Sequence, residues 1–248
     1  MLMTKRILIA TPFCNEAHSI VQYVRALLTL DYPKELIDLV WIENNSSDNT
    51  WQILQKYVNY MKKQNYHSFT LLQKTSPFYK QVIKGDINEF RYGKRSSKNG
   101  EIVRKESIRH QLSVWNSMMD SMTDEQDYIL FIFADVVVPP NTIKKYLEDF
   151  IAYPDAGWFG GVMHRRYPRD IRSPEQNPAH YGLASPYLKV LTPNNSEYEM
   201  HVLRDATYPY GVRGMTEDDV TKMQTNGEKI FDVCCTGHVF MISRKAVN

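Results

Sequence analysis

The stretch Tyr128–Pro140 reads YILFIFADVVVPP, an apolar run that ends on one carboxylate before two prolines. The continuous apolar character of Tyr128–Phe133 predicts a strand covered on both faces, as in a parallel sheet flanked by helices. Ligands of open α/β sheets gather at the carboxyl ends of the strands, so Asp135 is a candidate ligand for a hard cation that holds phosphates. The alternative is that Asp135 only caps the turn.

The composition is that of an ordinary globular protein. The chain has 248 residues, 43% of them apolar and 23% charged, which suits one large domain. The net charge of +2 argues against wholesale nucleic-acid binding. Lys74–Arg109 is locally basic, with ten basic and four acidic residues, and is open to phosphates, anionic lipid headgroups or solvent alone.

The chain contains no pattern for secretion or for metal fingers. Cys14, Cys234 and Cys235 have no finger spacing, and the two adjacent cysteines rarely form a bridge, so reduced thiols and a cytoplasmic location are expected. The amino terminus lacks the long apolar region of a signal peptide. Because no run approaches the ~20 apolar residues of a membrane span, any membrane contact is expected to be peripheral, at the cytoplasmic face.

Strand and helix patterns alternate through the first half, which predicts βαβ units and an α/β fold with a mostly parallel sheet. The stripe on the helix predicted over 103–122 is expected to be buried: Ile108, Leu112, Trp115, Met119 and Met122. Further strands are predicted over 157–163 and 230–243. Five prolines between Arg165 and Asp205 predict an irregular loop there.

Polar residues follow the first two strands as well. The first strand leads into Thr11-Pro-Phe-Cys-Asn15-Glu16, where an aromatic side chain is available to face a base. The second leads into Glu43-Asn-Asn-Ser-Ser-Asp48, where helix capping explains Asp48 better than ligand binding does. Capping does not explain Glu43, because an acid at the end of a buried strand needs a partner.

Three segments together resemble the GT-A glycosyltransferases of family 2: Ile9–Glu16, Val40–Thr50 and Phe133–Pro140. The resemblance covers about residues 6–165 and implies a single GT-A domain over 1–248. Its nucleotide-sugar half would span about 1–140 and its loop-rich acceptor half about 141–248. It also implies a set of nucleotide-sugar contacts: Thr11, Pro12, Phe13, Asn15, Glu16, Glu43, Asn44, Asn45, Ala134 and Asp135.

Two departures from the family pattern bear on the metal and on the nucleoside. The family holds Mn²⁺ or Mg²⁺ with an Asp-x-Asp motif, and here Phe133 stands in place of its first acid. Asp135 would then bind the metal with one carboxylate fewer than in the family. Glu43 stands where the family often has Asp, which keeps the charge on a longer arm. His238 is a second metal candidate, although a lone His on a strand is more often a core residue.

A basic residue of the family, often in an Ala-Arg-Asn context, has its closest match in Ile108-Arg109-His110, with Arg104 as the rival. Five residues apart, the two arginines lie about 140° apart around a helix, so one of them is expected to reach the diphosphate. A guanidinium there would offset the charge of the leaving group.

The general base of an inverting enzyme is a carboxylate, and Glu217-Asp218 resembles the family's Glu-Asp motif. In the family a small-residue strand ending in a basic residue precedes that motif, whereas here Thr236–Arg244 follows it. Two explanations stay open. The favoured one is that the true base lies beyond Asn248, and the other is that Asp218 serves in a rearranged site.

The expected activity is hexosyl transfer from a UDP- or GDP-sugar to a hydroxyl of a glycan, lipid or protein. Retention and inversion of the anomeric centre are both open. The alternative is a non-catalytic module that binds nucleotide sugars or glycans. A nucleotidyltransferase or a dehydrogenase would need a glycine-rich loop after the first strand, and Thr11–Glu16 contains no glycine.

Overall fold

The computed structural model describes residues 4–75, 98–160 and 239–247, and seven short strands between 160 and 239. For residues 98–108 and for those short strands it describes the backbone. The short strands are β6 (Met163–His164), β7 (Leu183–Ala184), β8 (Leu188–Leu191), β9 (Glu197–Met200), β10 (Val202–Arg204), β11 (Val212–Gly214) and β12 (Val233–Cys235).

Strands and helices alternate from the amino terminus, as predicted. The strands of the main sheet are β1 (Ile7–Phe13), β2 (Ile37–Asn44), β3 (Ser68–Lys74), β4 (Tyr128–Ile132), β5 (Trp158–Gly160) and β13 (Val239–Ser243). The helices are α1 (Ile20–Leu28), α2 (Thr50–Lys62), α3 (Lys98–Met119), α4 (Thr142–Ala152) and the short α5 (Arg244–Val247). This arrangement confirms the α/β fold class.

The main sheet has six strands in the order β3-β2-β1-β4-β13-β5. β1 lies parallel to β2 and to β4, and β2 lies parallel to β3. The register pairs Ile7 with Ile37 and with Tyr128. The carboxyl ends of β1, β2, β3 and β4 therefore meet at one edge of the sheet.

The centre of the sheet is the core of the protein. All of β1 except Pro12 and all of β2 except Asn44 are buried. Because successive side chains of a strand point to opposite faces, this continuous burial means that both faces of the sheet are covered. The rings of Phe13, Tyr23 and Trp41 pack together on one side, with centroids 5.4 to 5.9 Å apart.

The amino edge of the sheet is held by Asp38, which is 3% exposed. Its carboxylate accepts hydrogen bonds from Arg6 Nε at 2.9 Å, Ser68 Oγ at 2.5 Å and Gln126 Nε2 at 2.8 Å. His67 Nδ1 lies 2.9 Å from the same carboxylate. One buried charge therefore joins segments that precede or begin four parallel strands.

The buried face of α3 differs from the predicted one. Leu112 is 54% exposed, so its predicted burial is wrong, whereas His110, Val114 and Met118 are buried at spacings of four residues. Trp115 is half-buried against Phe131, with ring centroids 5.2 Å apart. The helix is rotated so that its histidine, and not its leucine, faces the sheet.

The prediction of an irregular 165–205 segment is also wrong, because β7, β8, β9 and β10 lie there. β8 and β9 form an antiparallel pair, and β7 pairs with β6. The five prolines themselves lie outside the residues that the structure describes.

Two compact units divide the chain, one of Met1–Trp158 with Met241–Asn248 and the other of Phe159–Phe240. The larger unit contains the carboxyl ends of β1, β2 and β4. The prediction of a single domain stays a prediction. Within the described ranges, every helix is too short or too polar to cross a membrane.

Candidate functional site

The loops singled out in the sequence lie at the same edge of the main sheet. The register pairs Phe13 with Glu43 and Glu43 with Gln73, so β1, β2 and β3 end level with one another. β4 runs beside β1 on its other side. The loops after β1 and β2 and the turn that bears Asp135 are therefore neighbours, as the sequence predicted.

Asn15 bonds the loop after β1 to the loop after β2. Its backbone amide donates to Ser46 Oγ at 3.0 Å, and its side-chain Oδ1 accepts from the Ser47 backbone amide at 2.7 Å. Its φ of 59° lies in the left-handed region, which Asn tolerates better than most residues. These bonds hold the two loops as one polar wall.

Asp48 adds a second set of bonds between the same loops. Its Oδ1 accepts from the Thr50 amide at 2.9 Å, at the start of α2, and its Oδ2 accepts from the Ala17 amide at 3.2 Å. Thr50 Oγ1 accepts from the Glu16 amide at 2.8 Å. The N-cap residue of α2 is Asn49, whose side chain makes no capping bond, so it is Asp48, one position earlier, that accepts from the first amide of the helix, in line with the predicted capping role.

The pKa of the Asp48 carboxyl is lowered. Partial burial acts to raise it, but hydrogen bonds from the Thr50 hydroxyl, the Thr50 amide and the Ala17 amide together outweigh that effect. Because the folded pKa lies below the unfolded one, these bonds stabilise the protein above the ordinary pKa of Asp. Their contribution is lost as the pH falls through the folded pKa.

We expect Asp48→Ala to lower the free energy of unfolding by about 1 kcal/mol, the usual effect of removing a helix-capping acceptor. Urea unfolding at neutral pH measures this change. Asp48→Asn keeps one carbonyl acceptor and is the matched control, with a smaller loss. The alanine variant and the wild type should converge only as the pH falls through the folded pKa of Asp48, which lies below the ordinary value of about 3.9. Equal stability of the two at neutral pH would contradict the capping role.

Glu43 has the partners that its position in a buried strand end requires. It is 2% exposed, its Oε1 accepts from the Ser46 amide at 2.5 Å, and its Oε2 accepts from Gln73 Nε2 at 2.9 Å. The carboxylate therefore closes the turn after β2 and ties it to β3. Its contact with a nucleoside stays a prediction.

Asn44 and Asn45 meet His110, which reaches them from α3. His110 Nε2 lies 3.2 Å from Asn45 Nδ2 and also contacts Asn44 Oδ1. Asn45 is 3% exposed, and His110 is 8% exposed. Asn45 has a φ of 53°, so the turn after β2, like the loop after β1, contains an asparagine in the left-handed conformation.

Asp135 is exposed in the turn that follows β4. Glu16 lies near enough for the two carboxylates to interact: burial raises the pKa of Glu16, and the charges of Asp135 and Asp48 raise it further. A hydrogen bond from Ser19 Oγ, 2.6 Å from Glu16 Oε2, acts in the opposite direction. The edge thus presents two acidic groups from different loops.

The residues before Asp135 are apolar and packed. The ring of Phe133 lies with its centroid 5.8 Å from that of Trp115, and Ala134 is 3% exposed. The position where the family carries its first acid is therefore filled by a ring that packs against α3. Asp135 is the acid that this turn presents to solvent.

Two predicted nucleoside contacts lie in the core. Phe13 has no exposed surface and packs against Tyr23 and Trp41, so the prediction that its ring faces a base is wrong. Thr11 is also fully buried, and its hydroxyl bonds to Tyr23 Oη, so it supports the wall from behind. Pro12 between them is half-buried.

Of the two predicted arginines, Arg109 is exposed on α3, and the side chain of Arg104 lies outside the described residues. Glu217, Asp218 and His238 also lie outside them. His110 was not predicted as a site residue. The sequence did carry one indication of its role. His110 follows Arg109 at the position of the asparagine in the family's Ala-Arg-Asn context, and an asparagine amide can make similar hydrogen bonds.

Comparison with known proteins places these features in a family. The model of the Anp1 family matches residues 2–156. Among curated proteins, none matches the chain.

Two solved structures resemble the chain at low identity. The mannosyltransferase PcManGT from Pyrobaculum calidifontis, in complex with GDP-Man and Mn²⁺, is 18% identical, with a TM-score of 0.43 over 67% of this chain and 38% of that one. TarS 1-349 of S. aureus is 17% identical, with a TM-score of 0.42 over 77% of this chain and 43% of that one. The chain therefore spans less than half the length of these relatives.

Proposed function

The chain belongs to the Anp1 family of glycosyltransferases, and on this basis we propose that it moves a hexosyl group from a nucleotide-diphosphate sugar to an acceptor hydroxyl. The donor would be a GDP- or UDP-sugar. Mannose is the first sugar to test, because the family is one of mannosyltransferases. The acceptor hydroxyl would belong to a glycan, a lipid or a protein.

One observation carries the proposal: the loops after β1 and β2 are bonded into one polar wall, and the turn after β4 presents Asp135 at the same edge. A nucleotide sugar needs a polar surface for its nucleoside and an anchor for its diphosphate. The edge offers both, at the carboxyl ends where α/β sheets bind ligands.

We propose Asp135 as the protein ligand of Mn²⁺ or Mg²⁺. The described ranges contain no group of three or more metal-binding side chains. An exposed carboxylate still fits the mode in which Mg²⁺ is held by one or two carboxylates while substrate phosphates and waters complete the coordination. When bound, such a cation offsets the negative charge that grows on the departing diphosphate.

The chain's own groups have distinct roles in the transfer. The acceptor oxygen forms a bond to the anomeric carbon, the bond from that carbon to the diphosphate breaks, and the nucleoside diphosphate leaves. The exposed guanidinium of Arg109 is proposed to stabilise the leaving charge, with Arg104 as the alternative. For inversion, the hydroxyl proton passes to a carboxylate, for which Asp218 with Glu217 beside it is the candidate.

A binding module without catalysis is the second candidate. It is favoured by Phe133, whose ring occupies the place of an acid and packs against Trp115. Such a module would use the same wall and would hold a nucleotide sugar intact.

A donor screen separates these functions. The chain is incubated with GDP-mannose, UDP-glucose or UDP-N-acetylglucosamine and Mn²⁺, with and without a mixture of simple sugar acceptors. Release of GDP or UDP and labelled product are measured. Release or transfer that stops when EDTA removes the metal supports the enzyme, and binding without either supports the module. A chain that binds none of the three donors overturns both.

A further inference from the structure

His110 is directed into the sheet edge from α3. It is 8% exposed, whereas Arg109 and Gln111 on either side of it are exposed. The helix therefore places an imidazole where its neighbours in sequence face solvent. No nucleoside role was predicted for it, although it touches two residues for which that role was predicted.

The contact joins α3 to the turn after β2. His110 Nε2 lies 3.2 Å from Asn45 Nδ2 and also meets Asn44 Oδ1. A ring nitrogen of neutral imidazole either donates or accepts, so Nε2 pairs with one of these amides in each tautomer. In both tautomers the histidine bonds the segment that ends β2.

The turn that receives this bond has a backbone conformation that needs support. Asn45 has a φ of 53°, in the left-handed region, which asparagine tolerates better than most residues but still adopts at some cost. Such a conformation persists only when its surroundings fix it. The neighbouring bond from the Ser46 amide to Glu43 holds the turn from one side, and His110 holds it from the other.

The charges around the imidazole come from two strands. Burial lowers the pKa of His110, the Glu43 carboxylate at the end of β2 raises it, and Lys74 at the end of β3 lowers it. The net shift is downward, so the ring is neutral at neutral pH. Protonation at lower pH removes the ability of Nε2 to accept and adds a buried charge beside the turn.

We propose that His110 is a positioning residue for the donor nucleoside, because it fixes the Asn44–Asn45 turn against α3 in the conformation that the nucleoside meets. The inference rests on the proposed function, in which this turn is part of the polar wall that contacts the nucleoside. His110 does not touch the reacting atoms. Its loss should therefore weaken donor binding and leave the chemical step nearly unchanged.

The test compares three variants. His110→Ala removes the contact, His110→Asn restores an amide at the position where the family context has one, and Gln111→Ala changes an exposed neighbour as the matched control. Calorimetric titration with GDP and with UDP, each with Mn²⁺, gives the affinity. We expect His110→Ala to bind the preferred nucleotide about 10-fold more weakly, the usual effect of one lost hydrogen bond.

The kinetic constants and the pH profile separate positioning from a general loss of structure. His110→Ala should raise the donor KM with kcat within about 2-fold of wild type, and His110→Asn should recover most of the affinity. Because the folded pKa is depressed, wild-type affinity should fall only as the pH drops through that pKa, which lies below the ordinary value of about 6.5. That fall should be absent in His110→Asn. Equal KM in wild type and His110→Ala would overturn the proposal.

A readout without donor keeps this inference separate from the proposed function. Hydrogen exchange of the amides of residues 43–47 is measured in wild type, His110→Ala and Gln111→Ala. Faster exchange in His110→Ala alone supports the fixing of the turn. If the wild type binds neither nucleotide while exchange still increases, the proposed function fails and the role in the turn stands. Unchanged exchange overturns that role.

Discussion

Replacing Asp135 with alanine is expected to reduce sugar transfer by about 10²- to 10³-fold, because one preorganised electrostatic group at a developing charge contributes on that scale. The effect should be large because no second acid can compensate at this position: Phe133 stands where the family has the first acid of its Asp-x-Asp motif, and its ring packs against Trp115. Asp135 itself is exposed after β4, so its removal should leave the fold intact. The change is measured as kcat/KM for the donor at saturating Mn²⁺.

Two controls define what the Asp135 result means. Asp155→Ala removes another exposed acid, with a side chain 102% exposed, and should change neither activity nor Mn²⁺ dependence. Asp135→Asn keeps the size of the side chain without its charge and should resemble Asp135→Ala. If Asp135→Ala kept the metal-linked affinity for GDP and UDP, the assignment of the metal to this residue would be wrong.

The second large effect is on stability. Asp38→Ala is expected to lower the free energy of unfolding by about 3–5 kcal/mol, the range for removing one partner of a buried ion pair. The side chain of Asp38 is 4% exposed, and its loss leaves Arg6 Nε and the buried Gln126 Nε2 without this acceptor, although Arg6 Nη1 keeps its 3.0 Å pair with Glu125 Oε2. Urea unfolding followed by circular dichroism measures the loss.

Milder variants keep this prediction testable if Asp38→Ala does not fold. Ser68→Ala removes one of the donors to Asp38 and should cost about 1 kcal/mol. The matched control is Lys144→Ala, which breaks the 2.5 Å pair with Asp31 at the surface and should cost about 0–1 kcal/mol. A Ser68→Ala loss no larger than that of Lys144→Ala would show that the amino edge does not depend on this carboxylate.

The fold could be predicted from the sequence where periodicity decides it. The alternation of strands and helices and the GT-A resemblance were predicted from residue patterns, and the α/β sheet and the family match confirm them. The failures have a common cause. Leu112 and the segment after Arg165 were judged by residue type, whereas helix rotation and hairpin pairing depend on tertiary contacts that residue type does not encode.

In the candidate site, too, some features could be predicted from local sequence and others depend on tertiary contacts. Each loop could be located from the sequence because carboxyl ends of parallel strands meet, and the capping role of Asp48 followed from its place before α2. The burial of Phe13 could not be predicted, because it depends on Tyr23 and Trp41 from other elements. His110 was missed since its contact with Asn45 spans 65 positions of the chain.

The single carboxylate that joins the amino edge has a consequence for how this protein can change over evolution. Substitutions near Asp38 share one partner, so their effects should be non-additive, and that edge should accept few changes one at a time. At the opposite edge, Asn15, Asp48 and Glu43 each bond a separate set of loop atoms. A library that varies one of these three residues at a time should therefore yield folded proteins more often than one that varies Asp38 itself.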